Sequence, residues 1–306
     1  MRFMISDAAP EDCEGMENQV MIQSKSNPLI KRVKRLLNDA HYRNEQREFI
    51  IEGTKIIHDA LLTDAAERPS LNAIIYSSRF TTSRKAADLL KISSAEKTPL
   101  IEVSDSVMAF MGSLQTDQGI IAVANFIDRP FKEIIHKKPL QRRRRRSPKA
   151  GHDSPPLFVG ACGIQEPGNI GALMRTADAG GATAFLVFDD CADIYNPKTV
   201  RGSMGSIFSI PFARGLKGTD VLLTMSRMGI RIMATASDGP HIYTDLDYDR
   251  PLLALFGSEG RGLPESYKPF VDAVVSIPMF GGAESLNVNA SAALIIYERS
   301  RRWYAH

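Results

Sequence analysis

Five polar side chains in the second half of the chain stand where chemistry could be done: Asn169 and Arg175, Glu259, and Ser285 with Asn287. Each lies in a glycine-bearing segment that follows an apolar, strand-like run. Asn169 and Arg175 sit in EPGNIGALMRTADA (166–179), Glu259 in FGSEGRGLPE (256–265), and Ser285 and Asn287 in IPMFGGAESLNVNASAALIIYE (277–298). Gly, Asn and Pro punctuate any α/β fold, but packing does not demand the polar residues at these turns. A helix start placed at the carboxyl end of a strand offers free N–H groups and is a natural ligand site. In the third segment Gly281 and Gly282 permit a turn that side chains would obstruct, and Ser285 is the predicted cap. Leu286, Ala290, Ala293, Leu294 and Tyr297 then recur at helical spacing and form one apolar face. A capped core helix explains these last residues equally well when they are taken alone.

Other chemistries lack their residues. There is no GxxxxGK[ST] phosphate loop, no GxGxxG after the first strand and no HExxH. GSMGS (202–206) lacks the GxSxG spacing of a nucleophile elbow. The histidines are scattered with no pair at metal spacing, so no metal is expected. Cys13, Cys162 and Cys191 fall outside any CxxC pattern, which argues against a disulfide framework or a zinc site and suits a reducing cytoplasm. No segment is apolar for long enough to span a bilayer or to serve as a signal peptide, so a soluble cytosolic protein without membrane contact is expected.

These residues need two units to position them, because 306 residues exceed the usual single domain. Residues 1–20 read as an acidic, aperiodic extension. Residues 21–128 read as a small α/β domain, opening on a helix with Ile30, Val33, Leu36 and Leu37 on one face and Lys31, Arg32, Lys34 and Arg35 around it. Residues 129–156 read as a mobile basic linker with no core-forming period. It holds the arginine run that includes Arg142, Arg143 and Arg144, either as a solubilising hinge or as a cationic strap on phosphates. In residues 157–306 apolar strands alternate with helices, which implies a parallel sheet covered on both faces. Strands are expected at 157–161, 185–188, 207–210, 230–235, 252–256 and 273–277. The net charge of +3 is mild, and the arginine run is its main local excess.

The three glycine-bearing segments, in this order, resemble the signature motifs of the SpoU (TrmH) family of RNA ribose 2'-O-methyltransferases. SxxNPxIKxxxxL, FIIEG and DQGIIAVA of the first domain are similar to that family's substrate-binding domain of ribosomal-protein type. The resemblance implies a trefoil-knotted carboxyl end, a homodimer, and S-adenosylmethionine held near Thr235, Ala236, Leu255, Gly257, Ile277, Met279, Ser285 and Leu286. It assigns activation of the ribose hydroxyl to Arg175, with Asn169, Glu259 and Asn287 ordering it and the loops. Because a guanidinium is ordinarily protonated, Arg175 has two open roles, a base neutralised by its surroundings or a cation that steadies the alkoxide. Asn289 stands where the family more usually has serine. Arg201 in VRGSMGS is a candidate phosphate contact, with a plain surface arginine as the equal alternative, and Lys31, Arg32, Lys34 and Arg35 are candidate RNA contacts. The expected activity is 2'-O-methylation of RNA, ribosomal rather than transfer RNA. A transfer-RNA methyltransferase, a catalytically silent RNA-binding assembly factor and a small-molecule α/β enzyme are the alternatives.

Overall fold

The computed structural model describes residues 21–63, 68–82, 84–112, 118–136, 154–258 and 262–302. The acidic extension at 1–20, the linker arginines Arg142, Arg143 and Arg144, and Glu259 lie outside the described residues.

The first domain runs α1 (Pro28–Asn38), α2 (Ala40–Gln46), β1 (Glu48–Glu52), α3 (Thr54–Leu62), β2 (Leu71–Ser77), α4 (Ser78–Thr81), α5 (Arg84–Ala95), β3 (Leu100–Val103), α6 (Asp105–Met111) and β4 (Ile120–Asn125). Asn27 caps α1 by accepting from Leu29 N at 2.9 Å, and Pro28 takes the first helical position, where no N–H is needed. Four strands pair in the order β1-β4-β2-β3. Phe49, Ile51, Ala122 and Ala124 point to one face of that sheet and Ile50, Ile121 and Val123 to the other, as a period of two requires. α1 and α6 cover the second face, and the predicted stripe of Ile30, Val33, Leu36 and Leu37 is the buried one.

The second domain follows α7 (Phe131–His136) with β5 (Leu157–Ala161), α8 (Pro167–Ala179), β6 (Ala184–Phe188), α9 (Pro197–Gly202), α10 (Ser206–Ser209), β7 (Phe212–Leu216), α11 (Gly218–Arg227), β8 (Arg231–Thr235), β9 (His241–Ile242), β10 (Leu252–Phe256), β11 (Ala273–Ser276) and α12 (Val288–Arg301). Seven strands lie in the order β7-β6-β5-β10-β8-β11-β9, and every pair is parallel. α8 and α12 cover one face, and α7 and α11 the other. Among the described residues no helix is long and apolar enough to cross a membrane.

Three local expectations are corrected. The stretch 207–210 is mostly helical, within α10, and the edge strand starts at Phe212. The linker reading began too early: Phe131, Ile134 and Ile135, at helical spacing, dock α7 onto the same core as Phe158 and Leu186. The carboxyl-terminal helix starts at Val288, capped by Asn287 rather than Ser285. Its buried face holds Val288, Ala292, Ile295 and Ile296, whereas Leu294 and Tyr297 of the predicted face are 40% and 51% exposed.

Candidate active site

Three adjacent parallel strands, β10, β8 and β11, end on one side of the sheet. Their following loops converge on a cavity of about 600 Å³. Thr235 and Ala236 come from the end of β8, Gly257 and Ser258 from β10, and Ile277 and Met279 from β11. Ser285 and Leu286 close the rim, and Val288 and Ser291 bring in the first turn of α12. The predicted donor contacts are thus brought together, with Leu255 the exception. Alternation along β10 sends Leu255 to the α11 face, where it is fully buried; a Cβ on Gly160 would come 2.7 Å from its Cδ2.

The chain closes tightly beneath this cavity. A Cβ on Gly257 would stand 2.6 Å from the Gly262 carbonyl oxygen, so only glycine fits there without a backbone shift. Gly281 and Gly282 are different: a Cβ at either would meet open space, so sterics do not require them. Glu284, one of the polar residues just ahead of the last helix, also lines the cavity, as do Ser237 and Asp238, which no motif marked.

α8 and α12 run side by side, and their first turns meet where Asn289 Nδ2 donates to Asn169 Oδ1 at 3.0 Å. Asn287 Oδ1 accepts from Asn289 N at 2.9 Å, so the cap and the Asn169 contact share one loop. The longer Asn289 side chain, in place of serine, makes the bridge between the two helices. Glu166 caps α8 and pairs with Lys198 at 2.5 Å, which holds its carboxyl below the usual range. Arg175, two turns along α8, is exposed, lies outside the cavity lining and has no ion pair among the described residues. The structure therefore unites the donor loops with one another and Asn169 with Asn289, but it keeps Arg175 apart within a single chain.

Among the described residues no thiol competes for a catalytic role. Burial pushes the Cys162 thiol well up and that of Cys191 to about 11, so neither is a thiolate near neutral pH. Among the described residues no group of three or more His, Cys, Asp or Glu is placed to hold a metal.

The sequence model of the SpoU rRNA Methylase family matches residues 156–297, and that of the MRM3-like substrate binding domain matches residues 27–122. The solved structure of an RNA 2'-O ribose methyltransferase is 30% identical, with 92% of this chain and 98% of that chain covered and a TM-score of 0.72. The chain belongs to the SpoU rRNA methylase family. Among other SpoU methyltransferases, AviRb of Streptomyces viridochromogenes, solved in complex with the cofactor AdoMet, is 27% identical over 90% of this chain and 98% of its own, with a TM-score of 0.77. The 23S rRNA (guanosine(2553)-2'-O)-methyltransferase RlmP of Bacillus subtilis is 26% identical over 90% of this chain and 97% of its own.

The cavity of this SpoU chain suits S-adenosylmethionine on its own terms. A volume of about 600 Å³ lies within the range that encloses a molecule of that size. Ile277, Leu286 and Val288 supply apolar walls for a flat base, and strand-end main chain supplies donors and acceptors. Asp238 and Glu284 place carboxylates where a cationic ligand would gain from them.

The basic residues of the first domain divide. Lys31 and Arg35 are exposed and Lys34 is half-buried. Arg32 instead pairs with Glu48, a buried carboxylate, and Arg201 pairs with Glu52 of the first domain. These two arginines are committed to buried carboxylates, which the charge pattern alone did not reveal.

Proposed function

We propose that the protein transfers a methyl group from S-adenosylmethionine to a ribose 2'-hydroxyl of ribosomal RNA, acting as a cytoplasmic homodimer. The observation that carries this reading is the convergence of the β8, β10 and β11 loops on one cavity beside the Asn169–Asn289 bridge. When bound, S-adenosylmethionine supplies an electrophilic methyl group on a sulfonium. Thr235, Ala236, Gly257, Ile277, Met279, Ser285 and Leu286 would hold and orient it. Catalysis then rests on placing the hydroxyl in line, with Arg175 as a positive charge beside the developing alkoxide. Asn169, Asn287 and Glu259 order that arrangement in this reading.

The exposed side of α12 supports the homodimer. Leu294 and Tyr297 on that side, and Phe280 in the loop before it, are 40%, 51% and 98% exposed in the single chain, and a symmetric pairing across such a face would bury them twice over. The same pairing would carry the exposed Arg175 of one subunit toward the cavity of the other, completing a site that one chain leaves divided. Leu294→Glu together with Tyr297→Glu is expected to yield a folded monomer without methylation activity, read by sedimentation and circular dichroism. A double variant that sediments as a dimer would remove this face from the interface. The knotted carboxyl end belongs to the same reading. It is supported by the insertion of β10 between β5 and β8, although β10 follows both in the chain.

Ribosomal rather than transfer RNA fits the match of residues 27–122 to a substrate-binding domain. Replacing Lys31 and Lys34 by alanine is expected to weaken RNA binding across sequences and to reduce the salt slope by about two, one for each phosphate contact. An unchanged slope would place the RNA elsewhere. The activity itself is tested by offering labelled donor with ribosomal or transfer RNA and digesting with alkali. Label in alkali-resistant dinucleotides of ribosomal RNA supports the assignment. No transfer, with no donor binding by calorimetry, would leave a silent RNA-binding factor.

A further inference from the structure

The segment from Asp193 to Arg214 contributes nothing to the cavity lining, yet it carries a dense set of contacts to the first domain. Tyr195 is fully buried and stacks on Phe126 with ring centroids 3.9 Å apart and planes 5° apart. Its hydroxyl donates to Asp128 Oδ1 at 2.7 Å and accepts from the backbone N–H groups of Ile127 and Asp128 at 2.8 Å. Arg43, 2% exposed, pairs with Asp193 at 2.6 Å and donates to the Leu36 carbonyl at 2.7 Å. Glu52, 5% exposed at the end of β1, accepts from Arg201 in α9.

α9 is in turn pressed against α8. A Cβ on Gly171 would collide with the Thr199 carbonyl oxygen and stand 2.9 Å from Ser203 N, so the two backbones touch. Thr199 Oγ1 donates to the Pro167 carbonyl at 3.0 Å, at the start of α8. The first domain therefore rests on α9, and α9 rests on the helix that bears Asn169 and Arg175. An apolar seam alone would tolerate sliding. A buried carboxylate with a directional guanidinium partner admits few orientations, because a shift leaves the charges desolvated and unpaired.

We propose that Glu52 is a positioning residue for methyl transfer: through Arg201 it sets the orientation of the RNA-binding domain on α9, and so the placement of bound RNA relative to Arg175. RNA gripped by the first domain is thereby delivered by a rigid joint and not by the basic linker. This rests on the RNA-methyltransferase reading for its catalytic part, and its mechanical part stands by itself. Misplacing reacting groups by about 1 Å costs on the order of a hundredfold in rate, so a loosened joint should appear in kcat.

The test uses the full-length protein with Glu52→Gln, Arg201→Glu, and the exchanged pair Glu52→Arg with Arg201→Glu. Each is assayed for kcat, RNA affinity and donor affinity, and for the distance between spin labels at Lys91→Cys and Met228→Cys, one exposed position on each domain. Glu52→Gln is expected to lower kcat by about tenfold or more, with RNA and donor affinities within about threefold and a broadened distance distribution. The exchanged pair should recover much of the rate and narrow the distribution. A Glu52→Gln enzyme with normal kcat and an unchanged distribution would overturn the proposal, as would a loss confined to RNA affinity. Should the unsubstituted protein show no RNA methylation at all, the functional reading fails, while the distance distributions still decide whether Glu52 fixes the domains.

Discussion

Arg175→Ala is expected to lower kcat by about a hundredfold or more, the scale seen when a charge-stabilising group is removed from a reacting centre. The same variant should bind S-adenosylmethionine with an affinity within about twofold of the unsubstituted protein. Two observations set this asymmetry. Arg175 is exposed on α8, and it is absent from the walls of the cavity that would take the donor. Its removal also leaves no buried partner behind, since it has no ion pair among the described residues, so the fold should lose little stability. Calorimetry beside a single-turnover methylation assay checks both halves. A donor affinity that falls in step with the rate would mean that Arg175 belongs to the cavity after all.

Gly257→Ala is expected to produce the reverse pattern. The new Cβ would press on the Gly262 carbonyl 2.6 Å away, and backbone cannot swing aside as a flexible side chain can. The loop from Gly257 to Gly262 must then move, and both ends of it line the cavity. A loss of about a hundredfold in donor affinity, near 2.7 kcal/mol, is the expected result. Circular dichroism should still report a folded protein, because β10 itself ends at Phe256. Unchanged donor binding in a folded Gly257→Ala variant would show that this loop does not hold the ligand.

Much of this was legible beforehand because it depends on local rules. The helical spacing of Ile30, Val33, Leu36 and Leu37 specifies the buried face of α1 whatever surrounds it. Two of the loops that line the cavity, after β10 and β11, were marked by their glycines, and the motif resemblance pointed to these and to the loop after β8. Leu255 was expected as a wall of the pocket as well as a main-chain contact; its side chain turns to the other face of the sheet, because the motif names positions along a strand while alternation decides which side chains reach a strand-end cavity. The face of α12 was misread for a related reason. Both of its sides are apolar, and spacing alone cannot tell which one packs within the chain and which is left uncovered. The joint from Asp193 to Arg214 was not legible at all. Arg43 and Asp193 are 150 residues apart, and a surface arginine and a buried clamp look alike in sequence.

The proposed division of the site between Arg175 and the cavity is open to the most direct measurement. Arg175→Ala and Gly257→Ala subunits carrying different tags are co-expressed, and the mixed dimer is purified through both tags. If each active site draws its cavity from one subunit and its arginine from the other, the mixed dimer holds one intact site and one doubly defective site. Assayed with donor at a concentration that fills the unsubstituted cavity but leaves the Gly257→Ala cavity nearly empty, it should then methylate ribosomal RNA at about half the rate of the unsubstituted dimer. If both parts come from the same chain, every site in the mixed dimer carries one lesion, and a preparation as inactive as its two parents would contradict the account.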